Sequence, residues 1–202
     1  MTYAEFLAQV KSDFEDDSTE FADAIPKRIT LAESRIFKDA PNLPAFRTTA
    51  TGSVSTATLT VPVGLRTIRG FSITVGSNEV FLERRIDSYI KDKYPATTST
   101  AQPVYYSEIN ETTMLLGPTP NATYTYTLYY LRVPTGLSVS NTTTWLGTTH
   151  EDILLYATNW ECAAFLIDDG ATAYWKSRYE EEVARLGAEV KRIYLNEYGA
   201  GA

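Results

Sequence analysis

The chain has one cysteine, Cys162, and one histidine, His150, in 202 residues. A single cysteine excludes an internal disulfide framework. Zinc takes three or four soft ligands, so no metal site is expected. Positive charge is also scarce. Eighteen Lys and Arg against 25 Asp and Glu leave a net charge of −7, the wrong sign for a protein whose main work is gripping nucleic-acid phosphates. No apolar run approaches the roughly 20 residues of a membrane span. The start Met1-Thr2-Tyr3-Ala4-Glu5 lacks the basic and apolar regions of a signal peptide. No glycine loop suited to phosphate is present, since Gly199-Ala200-Gly201 stands at the chain end. The expectation is a protein folded in a cytoplasm, with no cofactor, that is not an enzyme.

The few residues with reactive potential read more simply as structure. His150 stands where a helix begins and is expected at the surface. Cys162 lies in an apolar helical stretch with no basic cluster to activate its thiol. Asp168 and Asp169 are neighbours, so on a helix their carboxyls diverge by about 100° instead of converging on one substrate. Glu180-Glu181-Glu182 is a solvated helix face. Sequons at Asn110, Asn121 and Asn141 would matter only in a secreted protein.

What is abundant is apolar helix surface. Trp175, Tyr179, Val183, Leu186, Val190 and Ile193 recur at steps of three and four, one stripe of a helix. Lys176, Arg178, Glu181, Arg185 and Arg192 form its solvated side. Before it, Ile153 to Ile167 is apolar almost all round, as in a helix buried among others. Thr149 and Asp152 read as its capping signal, and Gly170 as the left-handed stop between the two halves. At the other end, Thr2 and Glu5 make a capping box for a helix to about Glu15. A second helix carries Phe21, Ile25, Ile29, Ala32 and Ile36 on one stripe, with Asp23 as N-cap and Pro26 in the first turn. This surplus is absorbed either by four helices packing together or by neighbouring copies.

From about Phe46 the period drops from 3.6 to 2. Ala57-Leu59-Val61, Phe71-Ile73-Val75, Val80–Leu82, Val104–Ile109, Thr113–Leu116 and Thr123–Val133 read as strands, with a helical turn at Asp87–Lys93. The strands are rich in tyrosine: Tyr105, Tyr106, Tyr124, Tyr126, Tyr129 and Tyr130. These either fill strand positions or form a contact surface. Thr135–Thr149 reads as a polar linker.

The expected fold is α+β. N- and C-terminal helices form a roughly four-helix bundle (residues 1–45 and 134–202), and residues 46–133 form an inserted antiparallel β-sandwich or small barrel.

Several stretches in order resemble a known family. Ile25-Pro26, Ile29 and Leu31-Ala32-Glu33-Ser34-Arg35-Ile36 come first, followed by Leu116-Gly117-Pro118-Thr119-Pro120 and Leu128-Tyr129-Tyr130. Trp145-Leu146, Asp152-Ile153-Leu154-Leu155-Tyr156, Asp168-Asp169 and Trp175 with Tyr179 complete the pattern. Together they resemble the head-to-tail adaptor proteins of short-tailed bacteriophages. Two departures stand out: His150-Glu151 where that family has a proline before the aspartate, and Gly147 in place of a large apolar residue. The resemblance implies a structural protein of the virion neck, present in the host cytoplasm before assembly. It implies a homo-oligomeric ring, usually a dodecamer, with portal protein above and a tail tube or nozzle protein, sometimes with fibres, below. DNA passes through without sequence-specific binding. Subunit or portal contacts are expected on the C-terminal hairpin and tail, with Arg178, Arg185, Arg192, Tyr194 and Tyr198 as interaction residues. The alternative is a module that binds carbohydrate or peptide through its tyrosine-rich strands.

Overall fold

A computed structural model describes the backbone of residues 1–40, 43–96 and 98–198, with side chains described through Arg192. The elements run α1 (Tyr3–Phe14), α2 (Thr19–Asp39), a 3-10 turn (Pro44–Phe46), β1 (Arg47–Val54), β2 (Thr58–Thr60), β3 (Leu65–Val75), β4 (Asn78–Phe81), β5 (Glu83–Arg84), α3 (Asp87–Lys93), β6 (Thr100–Ala101), β7 (Tyr105–Asn110), β8 (Thr113–Gly117), β9 (Thr119–Pro120), β10 (Tyr124–Arg132), α4 (Trp145–Thr149), α5 (Glu151–Phe165) and α6 (Asp169–Tyr198). Two compact units result: Met1–Ala45 with Thr135–Ala202, and Phe46–Pro134. No helix among the described residues is long and apolar enough to cross a membrane.

In the helical unit, local chemistry sets the ends of α1. The Glu5 N–H donates to Thr2 Oγ1 at 3.4 Å and the Thr2 N–H donates to Glu5 Oε2 at 2.7 Å, the reciprocal capping box. α2 begins earlier than the sequence suggests. Ser18, not Asp23, caps it by accepting from the Phe21 N–H at 3.2 Å, so Pro26 lies inside the helix. An N-cap at Ser18 brings Phe21 onto the buried stripe with Ile25, Ile29, Ala32 and Ile36. Thr149 is likewise not the cap of α5. It ends the short α4, which Thr144 caps through the Gly147 N–H at 3.1 Å.

The helices do not form the expected four-helix bundle. α5 is the hub, and α2 and α6 both pack against it extensively while the short α1 touches it to a lesser degree. The reason lies in α5 itself. Leu154, Ala157, Cys162 and Ala163 are buried together with Thr158 and Asn159, so its buried sides point to several partners. Lengths are also mismatched. α1 has 12 residues, α5 has 15 and α6 has 30. Glu182 and Leu186 of α6 lie beside His150 at the start of α5, so the rest of α6 runs on past its partner. A bundle needs helices of similar length, each flanked by two neighbours.

The β unit also departs from the antiparallel sandwich or small barrel. One four-stranded sheet, ordered β1-β10-β3-β4, is antiparallel throughout. The second, β2-β8-β7-β5, is mixed, because β5 runs parallel to β7. β6 and β9 form a parallel two-stranded ribbon. The sheets are small, and none among the described residues closes into a barrel. The long connection from β5 to β7 through α3 returns the chain in the same direction, which a meander of hairpins cannot do. Phe71, Ile73 and Leu128 of the first sheet and Tyr106, Met114 and Leu116 of the second share one buried cluster. Gly76, at φ +62°, makes the tight β3–β4 turn.

Candidate assembly surface

The hairpin of α5 and α6 carries the residues the sequence singles out. Its turn ends α5 in a Schellman arrangement. The Ile167 N–H donates to the Ala164 carbonyl at 3.3 Å and the Asp168 N–H donates to the Ala163 carbonyl at 3.1 Å. The left-handed residue is therefore Ile167, at φ 58°, and not Gly170, which lies in the first turn of α6. Asp168 starts α6 by accepting from the Ala171 N–H at 2.8 Å, so one of the paired aspartates is a helix cap.

Along α6, Tyr179 and Leu186 are buried and Trp175, Val183 and Val190 half-buried, five of the six positions expected from spacing; Ile193, the sixth, lies outside the residues whose side chains are described. Arg178, Arg185 and Arg192 repeat every seven residues, so they share one flank. Arg178 is tied into the hairpin. Its Nη2 donates to the Tyr156 hydroxyl at 3.4 Å, and Tyr156 stacks on Trp175 with centroids 5.8 Å apart. Arg185 is exposed and pairs with Glu182 at 2.5 Å. Arg192 is exposed at the far end. Tyr194 and Tyr198 lie outside the residues whose side chains are described.

Three arrangements were not legible in the sequence. Arg35 of α2 lies over the Trp160 ring, 3.8 Å from its centroid, and forms an ion pair with Glu161, clamping α2 to α5. Tyr179 donates to Asp39 at 2.7 Å, and burial together with that bond raises its pKa. Glu33 accepts from the Leu137 N–H at 2.8 Å and holds the returning linker against α2. The signals in the sequence were that Glu33, Arg35 and Tyr179 fall in stretches resembling the adaptors.

Groups that could do chemistry are engaged elsewhere. The Cys162 thiol is fully buried and pushed up to about 12 by that burial. The His150 ring packs on Trp145 at 4.7 Å. Among the described residues, no three His, Cys, Asp or Glu side chains gather as metal ligands do. In the β unit the tyrosines serve the strands. Tyr106 and Tyr130 are buried, Tyr126 packs edge-on to Phe71, and the Tyr129 hydroxyl donates to Glu79 at 2.8 Å. The Lys93 ammonium donates to Tyr105 at 3.0 Å, which lowers that phenol's pKa and raises its own.

No curated protein sequence matches the chain significantly. A family profile described as SU10 adaptor protein matches residues 1–198. That match runs through both units and covers every stretch that resembled the head-to-tail adaptors. The chain therefore belongs to the SU10 adaptor protein family.

Proposed function

We propose that the chain is a structural protein of the bacteriophage neck, a head-to-tail adaptor that forms a ring between portal and tail and lets DNA pass. The observation that carries this reading is the family match over residues 1–198. Two physical features support it. The thirty-residue α6, about 45 Å long, is packed along one stripe and leaves its arginine flank exposed. A net charge of −7 suits a wall past which a duplex slides, because like charge keeps phosphates from adhering. Head-to-tail contacts between identical copies close naturally into rings. The portal-facing contacts fall on α6, with Arg178, Arg185 and Arg192 among them, and tail proteins dock below.

The test mixes the full chain with portal rings or with tailless heads and looks for added ring density by electron microscopy. Wild-type chain should add one ring of subunits. Charge reversal at Arg185 and Arg192 should weaken that addition, whereas Arg178→Glu should also loosen the hairpin through Tyr156. Heads that remain bare with wild-type chain would refute the proposal. The carbohydrate- or peptide-binding alternative loses weight because Tyr106 and Tyr130 fill core positions and the hydroxyls of Tyr105, Tyr124 and Tyr129 bond within the unit.

A further inference from the structure

β1 is an unusual edge strand. It pairs with β10 in unbroken register from Arg47↔Leu131 to Val54↔Tyr124, with no bulge. From Thr48 to Val54 it contains no charge and no proline, the two commonest guards on an exposed edge. Its sheet partner lies on one side only, and no loop or turn backbone bonds to these residues among those described. A row of backbone N–H and C=O groups therefore faces outward, ready for an extended chain.

The opposite edge of the same sheet is β4. Strand directions alternate across β1, β10, β3 and β4, so β1 and β4 run antiparallel to each other. Repeating the sheet head to tail sets β4 of one copy beside β1 of the next with the alternation kept. The side chains also match. Thr51, Thr127, Ser72 and Phe81 form one row across the sheet and share its outer face. Phe81, 61% exposed, stands at the β4 edge. Beyond Arg47 at its start, the outer face of β1 offers Thr49, Thr51 and Ser53, small enough to receive that ring in a cross-strand pair. A β1–β1 contact would instead close at two copies and leave Phe81 uncovered.

We propose that the subunits of the ring join by antiparallel pairing of β4 in one copy with β1 in the next. This rests on the ring reading above. The test uses full-length chain assembled on portal rings, carrying Phe81→Cys together with Thr49→Cys, Thr51→Cys or Ser53→Cys, so that three registers are covered. Within one chain the row from Thr51 to Phe81 spans three strand spacings, about 14 Å, too far for a disulfide. Opposite residues on paired strands are about 4.5–5.5 Å apart, within reach. Oxidation should give ladders of more than two copies for at least one pair and none for any single variant. Thr51→Glu should cut incorporation about tenfold, because Glu79 stands on the same face of β4 and like charges on paired strands repel, with the melting temperature of the free chain unchanged. Rings without ladders, or dimers from a single β1 variant, would overturn the edge pairing and leave the ring standing. Failure of wild-type chain to form rings would overturn both.

Discussion

The smallest decisive details are single side chains placed where their chemistry is under tension. Glu33 is one. Burial raises its carboxyl above the ordinary glutamate range, while the Leu137 N–H pulls the other way. A raised folded pKa means the folded chain holds the proton more tightly than the unfolded chain does. The group's contribution is therefore complete below its unfolded pKa and is lost as pH climbs through the folded value. Glu33→Gln keeps an acceptor for Leu137 and never ionises. Its melting temperature should equal that of wild type below about pH 4 and exceed it increasingly above that, since an unperturbed Glu titrates near 4.3. Thermal melts across pH check this. Glu33→Ala should cost about 1–3 kcal/mol by leaving the Leu137 N–H without its acceptor. The linker at Gly136 passes so close to the Glu33 carboxylate that a methyl group there would displace it. Ile167 is the second case. A β-branched residue at φ 58° and 87% exposed bears left-handed strain with almost no burial to offset it. Ile167→Gly should raise the urea midpoint by an amount equal to about 1 kcal/mol, with the m-value unchanged. An unchanged or lower midpoint would count against strain at this turn.

Among the elements, α5 decides the helical unit. Its buried sides hold α2 and α6 at once, so a cavity there is felt by both. Leu154, fully buried in the first turn of α5, should cost about 2–5 kcal/mol on truncation to Ala. Leu166→Ala at the exposed end, where 41% of the residue meets solvent, should cost under about 1 kcal/mol. Equal losses in denaturant titrations would refute the hub role of α5. The stripes of α2 and α6 were legible because each helix buries one narrow face, and periodicity reports that directly. The start of α2 was not, because Ser18 and Asp23 are both good caps, and burial of Phe21 chooses between them. The left-handed stop was assigned to glycine by propensity, but hydrogen bonding to the last carbonyls of α5 placed it on Ile167. β1 carried no strand signal. Its Thr-Thr-Ala-Thr-Gly-Ser run lacks the large apolar alternation on which strand reading depends.

At the level of the whole molecule, the chain leaves the helical unit at Phe46 and returns at Thr135. The β unit begins and ends on paired strands, with Arg47 opposite Leu131, so its ends lie about 5 Å apart. Its core cluster draws only on its own strands and loops. Residues 46–134 alone should therefore fold, with a cooperative thermal transition and the far-UV signature of strands. A broad, non-cooperative melt would mean that it depends on the rest of the chain. The acidic balance makes a further demand. The free chain should show no detectable duplex-DNA binding at physiological salt, because no net positive field exists to release counterions. A gel shift that disappears with added salt would contradict a passive channel wall.

The sequence by itself determined the four long helices, the stripes that α2 and α6 bury, where the helical period gives way to the strand period, and the family likeness that runs through both; the short α4 fell in the stretch read as a polar linker. Those are local properties: three or four residues of spacing, a capping pair, a turn residue. Tertiary structure alone decided that the helices gather on α5 instead of forming a bundle, that the sheets are small and partly parallel, and that β1 and β4 are edges. Each of these depends on which distant segment lies alongside, such as Thr51 beside Thr127 or Arg35 over Trp160. Pairing energies of that kind come from contacts between segments far apart in the chain, and no spacing within one segment encodes them.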